Sequence, residues 1–282
     1  MARISVQDVT TSNLDDLCWL CVPPTRRTDP AFAEGVAEKR LWAFRMLDRW
    51  GSVAKIAYHG GKPAGQIQFR PVSQHRVVSI DCIFVPEISH WRRGIGTVLL
   101  ASLVEEMRQP QRWFGGESAI ALVTKTFPGQ KPGQFAAAAF FRAKGFQQVG
   151  RDPHLLYLPL SQTRPLLPST GWQSGEDLLW PSQYTHYVAQ EEDRRQAVII
   201  HGPSFCPFSF FLLMQAEAQV REIAPDLPVR WINQSEQPEE AVKRGGYAGC
   251  VVNATPITAF VLDRERFRQQ VESALAARVA GG

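Results

Sequence analysis

An apolar, β-branched run from Val77 to Val85 ends in a loop that carries Arg92, Arg93 and Gly94-x-Gly96. An amphipathic stretch then runs from about Gly96 to about Met107. The pattern predicts a strand, a basic glycine loop and a helix N-terminus in immediate succession. That order suits a pyrophosphate. Glycines let backbone N–H groups approach the phosphates, and the helix dipole favours negative charge at its start. No other stretch of the 282 residues limits the fold and the ligand class as strongly.

Two common phosphate loops are excluded by spelling. The Walker string Gly-x-x-x-x-Gly-Lys-Ser/Thr is absent, and the third glycine of Gly-x-Gly-x-x-Gly is replaced by Leu99. What remains is Arg92-Arg-Gly-Ile-Gly-Thr97. This resembles the acyl-coenzyme A loop of the GNAT acetyltransferases, Gln/Arg-x-x-Gly-x-Gly/Ala, with Trp91 in place of its first residue. Downstream, Phe135-Ala-Ala-Ala-Ala-Phe-Phe-Arg-Ala-Lys-Gly145-Phe146 reads as an alanine-rich helix stopped at a glycine C-cap. It resembles the family's Ala-x-x-Phe-Tyr-x-x-x-Gly-Phe segment. Between the two, Ser118 to Thr124 reads as a buried strand.

The resemblance covers about residues 1–160. It implies a mixed α/β fold with a splayed central sheet, in which the cofactor's pantetheine arm lies between two strands. Acetyl-CoA is then the co-substrate. Backbone groups of Ile83, Phe84 and Val85 would align the pantetheine, and those of Arg92, Arg93, Gly94, Ile95, Gly96 and Thr97 would hold the pyrophosphate. The family's usual acid is a tyrosine four residues before the Gly-Phe pair, and here that position is Phe141, which has no proton to give. Asp81 is the candidate base, since it shares strand parity with Ser79, Ile83 and Val85. Glu87 is a weaker choice. His59, His75 and His90 read as surface histidines near turns, although His90 is placed to touch the cofactor.

The periodicity elsewhere agrees with that order. Residues 1–9 alternate as a strand, Ser12 or Asn13 can cap a short helix through Cys18, and Phe32 to Trp50 has helical spacing (Phe32, Val36, Leu41, Phe44, Leu47). Val53–Tyr58 and Ala64–Phe69 read as a hairpin around Gly60-Gly61, and Leu155–Leu160 as the closing strand. Residues 161–194 are rich in Pro, Ser, Gln and Gly but carry Trp172, Trp180, Tyr184 and Tyr187, so an ordered linker is expected. A second domain over 195–282 follows. It has a strand at Ala197–His201, a helix to about Ile223, a strand at Pro228–Asn233, a helix at Pro238–Gly245, a strand at Ile257–Leu262 and a helix at Arg264–Val279. Cys206-Pro-x-Ser209 at a helix start and Thr255-Pro256 before a strand resemble a thioredoxin fold. In such a fold Pro256 would be cis and face Cys206. With too little room for a last strand, this would be a trimmed version. The combination resembles the YoaP-type acetyltransferases.

Composition narrows the partners. A net charge of +4 helps to capture an anionic cofactor, but no dense Lys/Arg tract marks a nucleic-acid surface. No apolar run of 18 residues is present, and the first residues lack a signal peptide's apolar core, so the expectation is a cytoplasmic protein off the membrane. Five cysteines without regular spacing argue against a disulfide framework. Cys18-Trp-Leu-Cys21 lacks a second ligand pair, so no metal is expected, and buried thiols that help to shape the acceptor pocket are the simpler reading. Cys206 at a helix N-terminus could have a lowered pKa, with Cys250 as a partner if a loop brought it close. The sequence therefore points to an N-acetyltransferase acting on a small-molecule amine or a peptide, as a monomer or homodimer, with the C-terminal domain shaping the acceptor site. The alternatives are a thiol protein using Cys206 and a non-catalytic acyl-CoA binder.

Overall fold

A computed structural model describes residues 3–126, 136–160 and 187–277. The chain divides into two compact units. The first takes Met1–Pro23 and Ala43–Pro181, the second Pro24–Trp42 and Ser182–Gly282. The expected boundaries did not anticipate that Pro24–Trp42 would count with the C-terminal unit.

The first unit is built on a seven-stranded sheet in the order β1-β2-β3-β4-β5-β7-β6. The strands are β1 (Ile4–Asp8), β2 (Ala54–His59), β3 (Lys62–Val72), β4 (Val77–Phe84), β5 (Ala121–Lys125), β6 (Gln147–Gln148) and β7 (Leu155–Pro159). Every neighbouring pair is antiparallel except β4 and β5, which are parallel. The sheet is therefore mixed. Helix α1 (Leu14–Trp19) follows β1. Asn13 stands at its N-cap, yet its side chain binds Thr10 N and Asp8 O, so it closes the preceding turn and leaves the helix uncapped. Helix α3 (Ile95–Met107) lies across β1, β2 and β3 and buries Ile95, Leu99, Leu100, Leu103 and Met107, an i, i+4 stripe.

Helix α2 (Pro30–Trp50) is shared by the two units. Its apolar stripe differs from the one read in the sequence. Phe32 and Val36 are buried, but Leu41 and Phe44 are exposed, while Trp42, Glu38 and Lys39 are buried. In the second unit Phe32 stacks on Phe211 and meets Phe208 edge-on, both at 5.1 Å, and Trp42 faces Phe205 at 6.3 Å. Gly35 lies directly against the Pro207 backbone.

The second unit carries a four-stranded sheet in the order β11-β10-β8-β9. The strands are β8 (Ala197–His201), β9 (Val229–Asn233), β10 (Gly249–Val252) and β11 (Thr255–Ile257). The helices are α5 (Ser209–Ile223), α6 (Pro238–Lys243) and α7 (Arg264–Ala276). The first two strands are parallel, and β10 and β11 run antiparallel to their neighbours. Alternate residues of β8 face opposite cores. Ala197 and Ile199 pack with Val220, Phe267 and Val271, whereas Val198 and Ile200 pack with Tyr187, Ile232 and Tyr247.

Two sequence expectations are corrected here. A short strand that the sequence reading lacks, β10, precedes the last strand, which spans Thr255–Ile257 and not Ile257–Leu262. Pro256 is not cis, since every peptide bond among the described residues is trans. Nor does it face Cys206. It pairs with Val251, which pairs with Val198, and about 10 Å of strand separates Val198 from the His201 end of β8. Within the linker, Tyr187 is buried and donates to the equally buried Asp193 at 2.7 Å, and Arg244 clamps that carboxylate with two nitrogens. Trp172, Trp180 and Tyr184 lie outside the described residues.

Candidate functional site

The parallel pair β4–β5 holds together only briefly. Val77 to Ile80 pair with Ala121 to Thr124, and there the pairing ends. Strand β4 continues to Phe84, still paired with β3 through Cys82, Ile83 and Phe84. Its β5-facing backbone edge over that stretch therefore has no strand beside it. A cavity of about 420 Å³ opens at this place. Its size falls in the range of cofactor sites.

Three elements line the cavity. The end of β4 contributes Ile83, Phe84 and Val85. The loop and the start of α3 contribute His90, Trp91, Arg92, Gly94, Ile95, Gly96 and Thr97. Helix α4 (Ala137–Arg142) and the residues after it contribute Ala137, Phe140, Ala143 and Lys144. Gly94 occupies the N-cap position of α3 at φ +83°, a left-handed conformation that L side chains resist. A glycine offers no side-chain acceptor, so the first-turn N–H groups of α3 have no side-chain cap and remain open to an anion. Gly96 presents its bare Cα to the cavity wall, where an added Cβ would stand 3.5 Å from the Phe140 ring.

Trp91, the loop's departure from the acyl-CoA pattern, has a structural task. Its indole Nε1 donates to the Val85 carbonyl at 2.9 Å and ties the loop to the end of β4. The His90 ring meets His59 edge-on at 5.2 Å.

The sequence-derived residues separate cleanly. Ile83, Phe84, Val85, Arg92, Gly94, Ile95, Gly96 and Thr97 come together on the cavity. Arg93 is exposed and does not line it. Asp81 does not line it either. Gln68 opposes Cys82 while Phe69 opposes Ile80, so Asp81 is the extra residue of a β-bulge. A bulge resets side-chain alternation, which is why the parity argument fails there. The Asp81 side chain is fully buried, and both carboxylate oxygens accept from Arg70 Nε, at 3.1 and 3.0 Å. Ser79 adds a hydroxyl donor at 3.0 Å. Burial raises the Asp81 pKa, outweighing the charge of Arg70 and the hydrogen bonds from Arg70 and Ser79 that lower it. A carboxylate committed in this way is an internal brace, not an open base.

Phe141 is also internal. It is 2% exposed and packs against Phe146 at 4.9 Å, while Phe146 N–H returns to Phe141 O at 3.1 Å. Gly145 at φ +90° completes this helix stop. Its neighbour Phe140 is the ring that faces the cavity. Phe140 and Lys144 were missed by sequence reading, although with Ala137 they fall at i, i+3 and i+7, the spacing that marks one helix face.

The cysteines are mostly structural. Cys18 and Cys21 are buried, and Cys21 Sγ accepts from Gln66 Nε2 at 3.0 Å. Cys250 lies in the core of the second unit, and burial pushes its thiol up to about 12. Cys206 and Cys250 are both free thiols. Burial also raises the Cys206 pKa, outweighing the backbone N–H groups of Phe208 and Ser209 and the charge of Lys39 that lower it. This corrects the expectation of a lowered value.

The residues that line the cavity fall within a segment that matches a known family model. Residues 14–146, slightly less than half of the chain, match the model of the acetyltransferase (GNAT) family. No curated protein matches the chain. Solved structures align with it at low identity. The PaiA N-acetyltransferase of Thermoplasma acidophilum, in complex with coenzyme A, is 12% identical, with 56% of this chain and 99% of that chain covered and a TM-score of 0.41. The ribosomal-protein-S18-alanine N-acetyltransferase of Escherichia coli is 16% identical over 58% of this chain and 99% of its own, with a TM-score of 0.38. A GNAT family acetyltransferase from Brucella melitensis, in complex with acetyl-CoA, is 14% identical over 57% and 90%, with a TM-score of 0.37.

Proposed function

We propose that the chain is an acetyl-CoA-dependent N-acetyltransferase that acts on the amine of a small molecule or peptide. One observation carries this reading. The unpaired edge of β4 and the uncapped N-terminus of α3 open onto the same cavity, inside the segment that matches the acetyltransferase family model. The two features suit the two ends of coenzyme A. The free strand edge offers N–H and C=O groups to the amides of pantetheine, as a neighbouring strand would. The N–H groups of Ile95, Gly96 and Thr97 suit a pyrophosphate, and Arg92 and Lys144 on the cavity wall add positive charge. Helix-terminus attraction for an anion is worth about 0.3–1 kcal/mol when exposed and up to about 2 when partly buried.

Acetyl-CoA supplies a thioester whose carbonyl carbon takes the acceptor nitrogen. The new C–N bond forms as the C–S bond breaks. The nitrogen's proton leaves to solvent, and the sulfur departs as thiolate. Backbone N–H groups at the β4 edge are placed to stabilise the carbonyl oxygen as it gains charge. With Phe141 in the acid's position and Asp81 held by Arg70, this chain relies on positioning more than on side-chain proton transfer. A thiol pKa near 8.5 makes the thiolate a tolerable leaving group without a protein acid. Isothermal titration with acetyl-CoA, followed by transfer assays on an amine panel, tests the reading. Binding without any transfer would favour the non-catalytic alternative.

For the second unit, the order β11-β10-β8-β9 with helices after β8, β9 and β11 supports a complete thioredoxin-like core of the YoaP type. The raised Cys206 pKa speaks against a reactive thiolate there, so the redox alternative is the weaker one. Among the described residues no helix is long and apolar enough to cross a membrane.

A further inference from the structure

Glu34 and Glu38 stand one turn apart on α2, and His201 ends β8. One ligand atom from each lies within 4.8 Å of the others. We propose that these three side chains form a binding site for a divalent first-row cation of the zinc class, with one coordination position open to solvent. It is the one such set of His, Cys, Asp or Glu groups among the described residues, and Cys18, Cys21 and Cys82 form none.

Four observations carry the assignment. First, the ligands converge from two elements. An i, i+4 pair of carboxylates shares one helix face, and the imidazole arrives from a strand end, so the site is not merely an acidic run along one helix. Gly35, between the two glutamates, lets this part of α2 sit against Pro207.

Second, the inner ligands are already oriented. His201 Nδ1 lies 2.5 Å from Glu38 Oε1, and its ring is held edge-on by Phe210 at 5.0 Å and Trp231 at 5.6 Å. Ser209 Oγ donates to the other Glu38 oxygen at 3.3 Å. Of these contacts the Ser209 hydroxyl is the outer partner of a ligand, and loss of such a partner typically costs about 10–100-fold in metal affinity.

Third, the charges need a cation. Glu38 and His201 are buried, and among the described residues no cationic side chain forms an ion pair with Glu34. A protonated imidazole would balance only one carboxylate. A divalent ion with neutral imidazole balances both.

Fourth, the site has a mouth. Glu34 is only half-buried, which gives an ion a route in. Zinc bonds to nitrogen and carboxylate oxygen are about 2.0–2.2 Å, which sets ligand atoms about 3–4 Å apart. An ion that takes all three groups therefore replaces the Glu38–His201 hydrogen bond. One histidine and two carboxylates suit Zn²⁺ or a neighbouring first-row ion better than Mg²⁺, which prefers oxygen and water.

The test uses the full chain, free of tags and stripped of metal. Isothermal titration with Zn²⁺ should give one saturable site, and Co²⁺ should add visible absorption bands of a four- or five-coordinate N/O complex. Glu34→Gln, at the half-exposed position, should weaken Zn²⁺ at least tenfold while the protein stays folded by circular dichroism. His201→Gln should abolish the cobalt bands. No saturable uptake by the folded protein would overturn the proposal. So would uptake of equal affinity in Glu34→Gln and His201→Gln, which would place the ion elsewhere. If His201→Gln fails to fold, Glu34→Gln and the cobalt spectrum still decide the matter.

Discussion

Gly35 offers an unusually clean test of the second unit, because two physical effects give opposite signs. Gly35 lies inside α2, where replacing an interior glycine by alanine ordinarily stabilises a helix by about 0.5–1 kcal/mol. In this structure, however, an added Cβ would stand 2.1 Å from the Pro207 carbonyl oxygen and 2.9 Å from its carbon. Both sides of that contact are backbone, so no rotamer change relieves it. Restoring the ordinary 3.4 Å requires the helix to retreat by about 1.3 Å. A retreat of that size separates Phe32 from the Phe208 and Phe211 rings and pulls Glu38 from His201, now at 2.5 Å, beyond hydrogen-bond reach. Overpacking of this kind costs about 1–3 kcal/mol, and a buried donor or acceptor left without its partner adds about 1–3 more. The net expectation for Gly35→Ala is a loss of about 2–4 kcal/mol. For a unit of about 100 residues that lowers Tm by roughly 10 °C or more. Scanning calorimetry and urea unfolding of the full chain, beside Ala37→Gly at an exposed position of the same helix, read this directly. If Gly35→Ala stabilises the protein, the close contact of α2 with Pro207 is refuted.

Three further outcomes follow from the packing. Gly96→Leu places a side chain between the Phe140 ring and Ile83, so acetyl-CoA affinity by calorimetry should fall at least tenfold while circular dichroism stays unchanged; full affinity would show that the cofactor lies elsewhere. Phe141→Ala empties a buried ring site and should cost about 3–5 kcal/mol in urea unfolding, whereas a loss under 1 kcal/mol would mean that the ring is not part of the core. In native protein at pH 8, Cys18, Cys21 and Cys250 should resist a thiol reagent, and Cys206 should react more slowly than a free thiol and speed up only as pH rises above its ordinary range; fast labelling of Cys206 at pH 6 would revive the redox reading.

How much of this could be read from the chain depended on distance along it. The strand, loop and helix from Val77 to Met107 were legible because periodicity and two glycines mark them locally. Residues Ile83 to Val85 and Gly94 to Thr97 then arrived at the cavity as read. Asp81 failed because alternation is a rule for regular strands, and a bulge is invisible in one sequence. Strand β10 was missed because Gly-Cys-Val-Val is short and buried on both faces, so it lacks alternation. That omission moved the last strand and gave Pro256 a role it does not have. The Cys206 reading used the helix N-terminus, a local effect, and was reversed by burial, a tertiary one. The Glu38–His201 pair joins residues 163 positions apart, and no local pattern shows that half of α2 serves the C-terminal unit.

The central claim is that the gap beside β4 and the start of α3 together bind acetyl-CoA for transfer. The most direct measurement is amide hydrogen exchange of the full chain with and without acetyl-CoA. The account predicts new protection at Ile83 to Val85 and at Ile95 to Thr97 together, with no comparable change in β8 to β11. Saturable binding that leaves both segments unprotected, or protects only the C-terminal unit, would contradict it.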